Sequence, residues 1–253
     1  MFRIGAMDGT LRLREKVEAF EVAKRAGLEG VEFNIGREPV EGRLALDDAA
    51  KQRSYLEASQ QHGVAIAGIV LDILHRNYLK NDKLAEKWVA ESIPIAQKLD
   101  VKVVLLPMFS KGALTNQDEM NYVADVLKNL APAAEKASIT LGLENTISAA
   151  DNVRIIERAG SPALKVYYDV GNSTNRGFDI LAEIRWLGKD RICQMHLKDN
   201  PYYLGEGRIN FPAVIRAMKD IGYDRWANLE TESPSKDAEA DARRNTAYLR
   251  KLM

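Results

Sequence analysis

Strand-like and helix-like segments alternate eight times along this chain, and such alternation calls for a parallel sheet whose strands are joined by crossover helices. FRIGAM is the first strand, and Arg14–Ala26 reads as a helix with Val17, Phe20 and Val22 on its inner face and Gly27 closing it. LEGVEFNI is the second strand, and GREPVEG is a Gly- and Pro-containing loop. Asp47–His62 is a helix capped by Asp47 and followed by Gly63. VAIAGIVL, the third strand, is apolar throughout, as a strand buried on both faces should be. DILHRNYLKN is a loop, Lys83–Leu99 a helix with a kink expected at Pro94, and VKVVLLP the fourth strand. After the loop MFSKGAL comes the longest helix, Asn116–Ala137, with an interruption expected at Pro132. ITLGLEN, LKVYYDVGN, RICQMHLKD and RWANLETE carry the last four strands. Helices are expected near Asn152–Ala159, Ile180–Leu187, Phe211–Ile221 and Asp237–Leu252. Eight such units in 253 residues favour one (β/α)8 barrel domain, typically about 250 residues long, over an open doubly wound sheet. The open sheet's G-x-G-x-x-G fingerprint is also missing after the first strand.

The last four strands end on residues that bind hard or borderline metal ions: Glu144, Asp169, His196 and Glu230, at intervals of 25, 27 and 34 residues. One βα unit of a barrel takes roughly 30 residues, and side chains at the C-terminal ends of its strands converge on one cavity. The spacing therefore predicts that the four meet around a single divalent cation. Three oxygen donors and one imidazole suit Mn²⁺ first, with Mg²⁺, Co²⁺ or Zn²⁺ as alternatives.

Lys plus Arg equals Asp plus Glu at 36 each, so no net field draws the chain to nucleic acid or an anionic membrane. No apolar run approaches the roughly 20 residues of a membrane span. Cys193 is the lone cysteine and reads as a buried, inert thiol. Met1 is followed almost at once by the first strand, with no cleavable signal in view, so a cytoplasmic location is expected, although a leader trimmed from the chain stays open.

LGLEN, YYDVGN, MHLKD, LGEG and LETE, in that order and on those strands, together with GLEGVEF and the closing GY-x-x-W, resemble the xylose isomerase-like barrel superfamily of sugar isomerases and epimerases. Its tagatose 3-epimerase-like and hydroxypyruvate isomerase-like members are included in that resemblance, which runs over the full length. It implies Glu144, Asp169, His196 and Glu230 as metal ligands and Glu144 and Glu230 as the catalytic acid/base pair. It further implies a metal-dependent isomerase or epimerase acting on a ketose or related keto sugar through an enediolate. A lyase or dehydratase on a keto sugar and a non-catalytic sugar-binding barrel are the alternatives. Apurinic-site endonucleases share the barrel but need a histidine-rich cluster and a basic groove, against three histidines and zero net charge here.

Four further residues are expected to bind substrate. His75 follows the third strand on the catalytic side, and Lys198 shares a strand face with His196, with an ion pair to Asp199 or a glutamate ligand as its competing role. Asn172 stands where many relatives carry His. Arg208, beside the Gly205-Glu206-Gly207 turn expected to flex over the cavity, is the candidate for an anionic substrate end. Phe109 is expected to wall the pocket, Trp88 to lie in the core, His62 to be structural, Asn145 to support its neighbour and Asn210 to cap a helix. No phosphate-binding loop is visible, which favours a free sugar or keto acid. The partner expected is a small carbohydrate, and the exposed helix faces of such barrels leave a homodimer open.

Overall fold

A computed structural model describes all 253 residues. Eight parallel strands close on themselves in sequence order: β1 (Arg3–Met7), β2 (Gly30–Asn34), β3 (Ala65–Val70), β4 (Val103–Met108), β5 (Thr140–Asn145), β6 (Leu164–Asp169), β7 (Ile192–Leu197) and β8 (Trp226–Leu229). The helices are α1 (Ala19–Ala26), α2 (Ala49–His62), α3 (Lys83–Lys98), α4 (Gln117–Ala137), α5 (Ala149–Ala159), α6 (Val170–Asn175), α7 (Ile180–Arg191), α8 (Phe211–Asp220) and α9 (Ala238–Leu252). None is long and apolar enough to cross a membrane. The (β/α)8 barrel expected from the alternation is the fold observed.

The main core lies between strands and helices, with Phe20, Phe33 and Phe211 fully buried there. Inside the barrel the filling is partly polar. Tyr167 donates to Glu32 Oε1 at 2.8 Å, and Asn228 Nδ2 donates to both the Tyr167 hydroxyl and Gln194 Oε1 at 2.9 Å. These groups are buried and pair with one another, which keeps most of their desolvation tolerable, while Asn228 Oδ1 has no hydrogen-bond partner.

Several boundaries differ from expectation for local reasons. Helix α1 starts at Ala19 rather than Arg14, because Arg12 and Glu15 take positive φ (56° and 59°) and the Asp8 carboxylate accepts the Glu15 N–H at 2.8 Å. The intervening segment turns over the barrel mouth instead of coiling. The cap of α2 is Asp48, which accepts from the Lys51 N–H, in place of Asp47. Pro94 and Pro132 lie inside unbroken helices; both are exposed, as are Ala90 and Lys128, whose carbonyls would have met the missing N–H groups. Asn210 caps α8, Trp88 is buried with its indole N–H on Asn77, and Cys193 is buried with its thiol pushed up to about 12 by desolvation. The 205–207 turn is pinned, since Asp199 accepts backbone N–H groups from Gly205, Gly207, Arg208 and Ile209.

Candidate metal centre and substrate cavity

Glu144 is the penultimate residue of β5, Asp169 the last of β6, His196 the penultimate of β7, and Glu230 follows β8 directly. Asp169 and His196 are register partners across β6 and β7, so the pleat sends both side chains to the same face. One ligand atom from each of the four residues lies within 4.8 Å of all the others. The spacing argument thus brings together the residues it named.

Both nitrogens of His196 are engaged. Nδ1 stands 3.1 Å from Glu144 Oε1, 3.3 Å from Glu230 Oε2 and 3.9 Å from Asp169 Oδ2, while Nε2 stands 2.7 Å from Oε2 of Glu32. Burial opposes charge on the ring, but the carboxylates of Glu144, Glu230 and Glu32 outweigh it and raise the pKa well above the ordinary histidine value. Burial raises Asp169 well above the usual carboxylate range against the pull of Lys198. Burial acts on Glu230 in the same sense, yet His196 and Lys198 hold this carboxyl below the usual range.

Asp169 tests whether a cation fits. Its Oδ1 is fixed by the backbone N–H groups of Gly171 and Asn172 at 2.7 and 2.8 Å. Its Oδ2 is buried and makes no hydrogen bond, although Lys198 Nζ is 2.6 Å away. The Lys198 ammonium supplies the counter-charge that this buried oxygen needs, so the fit to a metal rests on the four donors and their spacing. Ligand atoms at about 2.0–2.3 Å from one ion lie at most about 4–4.6 Å apart, close to the spread observed here. The donor set and its dimensions fit one divalent cation.

Lys198 Nζ also donates to Glu230 Oε2 at 2.6 Å, so the ion pair forms with a glutamate ligand rather than with Asp199. Burial works against this ammonium, and Asp169, Glu230 and Glu144 more than compensate, raising its pKa. Gly171 makes the approach possible, because a Cβ there would sit 2.5 Å from Lys198 Cγ. Asn172 Nδ2 donates to Glu144 Oε1 at 3.3 Å. Asn145 exchanges side-chain hydrogen bonds with Asn152 at 2.6 and 3.0 Å, so it braces the start of α5 rather than its neighbour Glu144.

A cavity of about 570 Å³ opens onto Glu144 and Glu230. His75 and Phe109 line it, their rings 5.2 Å apart, as do Arg14, Arg37, Asp72 and Lys111. A second cavity of about 560 Å³ is lined by Asn172, Lys198 and Arg208. Arg208 therefore falls outside the space that Glu144 and Glu230 face, and its Nη2 donates to Asn175 Oδ1 at 2.6 Å. Sequence reading puts Arg14 in a helix and gives Arg37, Asp72 and Lys111 no role; their only signal is a place just beyond the ends of β1 to β4. Glu32 is missed too, though a carboxylate inside the otherwise apolar run GVEF is a visible anomaly.

The description "xylose isomerase-like TIM barrel" matches residues 20–252. The chain belongs to that family. A 2-epi-5-epi-valiolone 7-phosphate 2-epimerase from Actinoplanes sp. is 27% identical to it over 188 residues, which span 72% of this chain and 67% of the relative. Among solved structures, an L-ribulose 3-epimerase superposes with a TM-score of 0.82 at 19% identity, covering 100% of this chain and 94% of the other. The protein IolI, solved with a bound zinc atom, superposes with a TM-score of 0.78 at 15% identity over 99% and 98% of the two chains. At these identities the two structures establish the shared barrel.

Proposed function

We propose that this member of the family is a divalent-metal-dependent sugar epimerase or isomerase acting on a ketose or related keto sugar. The observation that carries the reading is the placing of Glu144 and Glu230 in one cavity, on strands separated by the two that bear Asp169 and His196. The relative named 2-epi-5-epi-valiolone 7-phosphate 2-epimerase supports an epimerase reading. Glu144, Asp169, His196 Nδ1 and Glu230 would hold the ion, with Mn²⁺ first among Mg²⁺, Co²⁺ and Zn²⁺. When bound, such an ion supplies Lewis acidity that stabilises negative charge on the substrate's carbonyl oxygen.

The remaining work falls to the chain's own groups. One glutamate removes the proton from the carbon beside the carbonyl, and the other returns a proton to the opposite face, inverting the centre. In the metal-free site His196 and then Lys198 hold the Glu230 carboxyl below its ordinary range and so keep it ionised. His75 and Lys198 bind substrate oxygens, Asn172 orients Glu144, and Arg208 binds whatever part of the substrate extends into the second cavity. Phe109 walls the cavity and limits water at the reacting carbon.

Incubating the Mn²⁺-loaded protein with a panel of ketoses in D₂O, and reading exchange at each C–H by NMR, tests this directly. Glu144→Gln and Glu230→Gln should each lower turnover by about 10²–10⁴-fold. If both variants kept turnover within a few-fold of the parent at saturating metal, the two-glutamate mechanism would be wrong.

A further inference from the structure

We propose that the outer end of the 570 Å³ cavity is a phosphate subsite, in which Arg14, Arg37 and Lys111 hold the terminal phosphate monoester of the substrate while its sugar carbons reach Glu144 and Glu230. The inference rests on the reading of this cavity as the ketose site, and it replaces the free sugar that sequence reading favours.

Arg14 comes from the segment after β1 and Arg37 from the loop after β2, yet both converge on one oxygen of one carboxylate. Arg14 Nη1 and Arg37 Nε lie 3.2 and 3.1 Å from Asp72 Oδ2. Asp72 is 5% exposed, whereas the two guanidiniums are 51% and 55% exposed. Each guanidinium spends a single N–H on Asp72, and the others have no protein acceptor. His75 Nε2 stands 3.3 Å from the other Asp72 oxygen, and burial keeps that imidazole below its ordinary pKa, so it adds no charge near pH 7. Glu15 and Asp8 also interact with this cluster, Asp8 with its pKa raised to about 6 by burial. Arg14 and Arg37 therefore face Asp72, Glu15 and Asp8, with Lys111 also lining the cavity, while Glu144 and Glu230 line it from the ends of β5 and β8.

A cavity that presents guanidinium N–H groups with no protein acceptor, away from Glu144 and Glu230 along the chain's strand ends, suits a substrate whose anionic group is remote from the reacting carbon. Two guanidinium forks anchored by a shared carboxylate match the several oxygens of a phosphate, and one carboxylate would leave much of that capacity unused. A neutral ketose has no charge to set against them. The volume lies within the range of small-molecule sites.

Titrating the metal-free protein with inorganic phosphate removes the metal as a competing anion site. One phosphate should bind per chain. Arg14→Gln and Arg37→Gln should each weaken it at least about tenfold, as loss of a charge-assisted hydrogen bond requires. Arg208→Gln should leave affinity unchanged, and acetate should compete poorly. Both arginines are half exposed, so the variants should fold, with circular dichroism as the check. Loss of binding in Arg208→Gln but not in the other two, acetate binding as tightly as phosphate, or no phosphate binding at all would each overturn the subsite. In the metal-loaded protein, Arg37→Gln should raise KM for a ketose 5-phosphate with little change in kcat. A protein that binds phosphate through Arg14 and Arg37 but exchanges no ketose proton would instead count against the epimerase reading alone.

Discussion

Replacing Glu32 with Gln should weaken the metal centre without touching a ligand. Nδ1 of His196 faces the three carboxylates, so when that nitrogen ligates an ion the ring proton resides on Nε2, 2.7 Å from Glu32 Oε2. A carboxylate accepting that proton fixes the tautomer and makes the ligating nitrogen a stronger donor. The neutral amide keeps the shape of Glu32, and its single oxygen can still accept from His196. Its N–H groups then meet the Tyr167 hydroxyl, which now donates to Glu32 Oε1 and accepts from Asn228. The hydroxyl oxygen has a second lone pair for the amide, and its own proton can turn to Gln194 Oε1, 3.4 Å away, so the network can turn round. What is lost is the negative charge behind the imidazole. Affinity for Mn²⁺ or Zn²⁺ should fall by about 10- to 100-fold, or about 1.4–2.8 kcal/mol. Competition against a chelator of known affinity measures this on the metal alone, and circular dichroism checks that the barrel is intact. A folded Glu32→Gln protein that binds either metal within twofold of the parent would refute the argument.

His196→Ala should abolish high-affinity binding by removing the one nitrogen ligand; a merely structural histidine would lower stability and leave the titration unchanged. Asp8, fully buried beyond β1, has its pKa raised from 3.8 to about 6, with burial overcoming hydrogen bonds from Glu15 and Asn34. The folded state therefore holds the proton more tightly, so this group's stabilisation is complete below about pH 4 and is lost, by about 3 kcal/mol, as pH rises through about 6. Urea unfolding between pH 4 and pH 7 should show that slope, and Asp8→Asn should flatten it; equal slopes in both proteins would rule the assignment out.

The cluster of candidate ligands was legible because strand-end positions obey two periodicities at once. The βα repeat spaces Glu144, Asp169, His196 and Glu230 along the chain, and the pleat turns register partners such as Asp169 and His196 to one side. Helix caps at Asn210 and Gly63 followed from local chemistry for the same reason. Arg14 was illegible because its segment looks helical by composition, and only a long-range contact, the Asp8 carboxylate on the Glu15 N–H, bends it over the cavity. The Arg37–Asp72 pair spans 35 residues of sequence and two loops, so no local pattern announces it. Glu32 lay in plain view inside a strand, but its partner His196 is 164 residues away.

This contrast follows how the barrel divides its labour. β5 to β8 carry the candidate metal ligands at or directly beyond strand ends, where backbone hydrogen bonding to two neighbours fixes each Cα and a slip of one residue would turn the side chain to the other face. The residues at the other end of the cavity come from loops after β1 to β4, which can change length and composition without moving the ligands. Lys198 and Asn172 sit where the two cavities approach each other, bonded to Glu230 and Glu144 respectively. A substitution in the first four loops should therefore alter which substrate is accepted while leaving metal affinity alone. A substitution at Glu32, Gly171 or Lys198 should alter the metal centre for every substrate alike, because those residues set the charge and position of the ligands themselves.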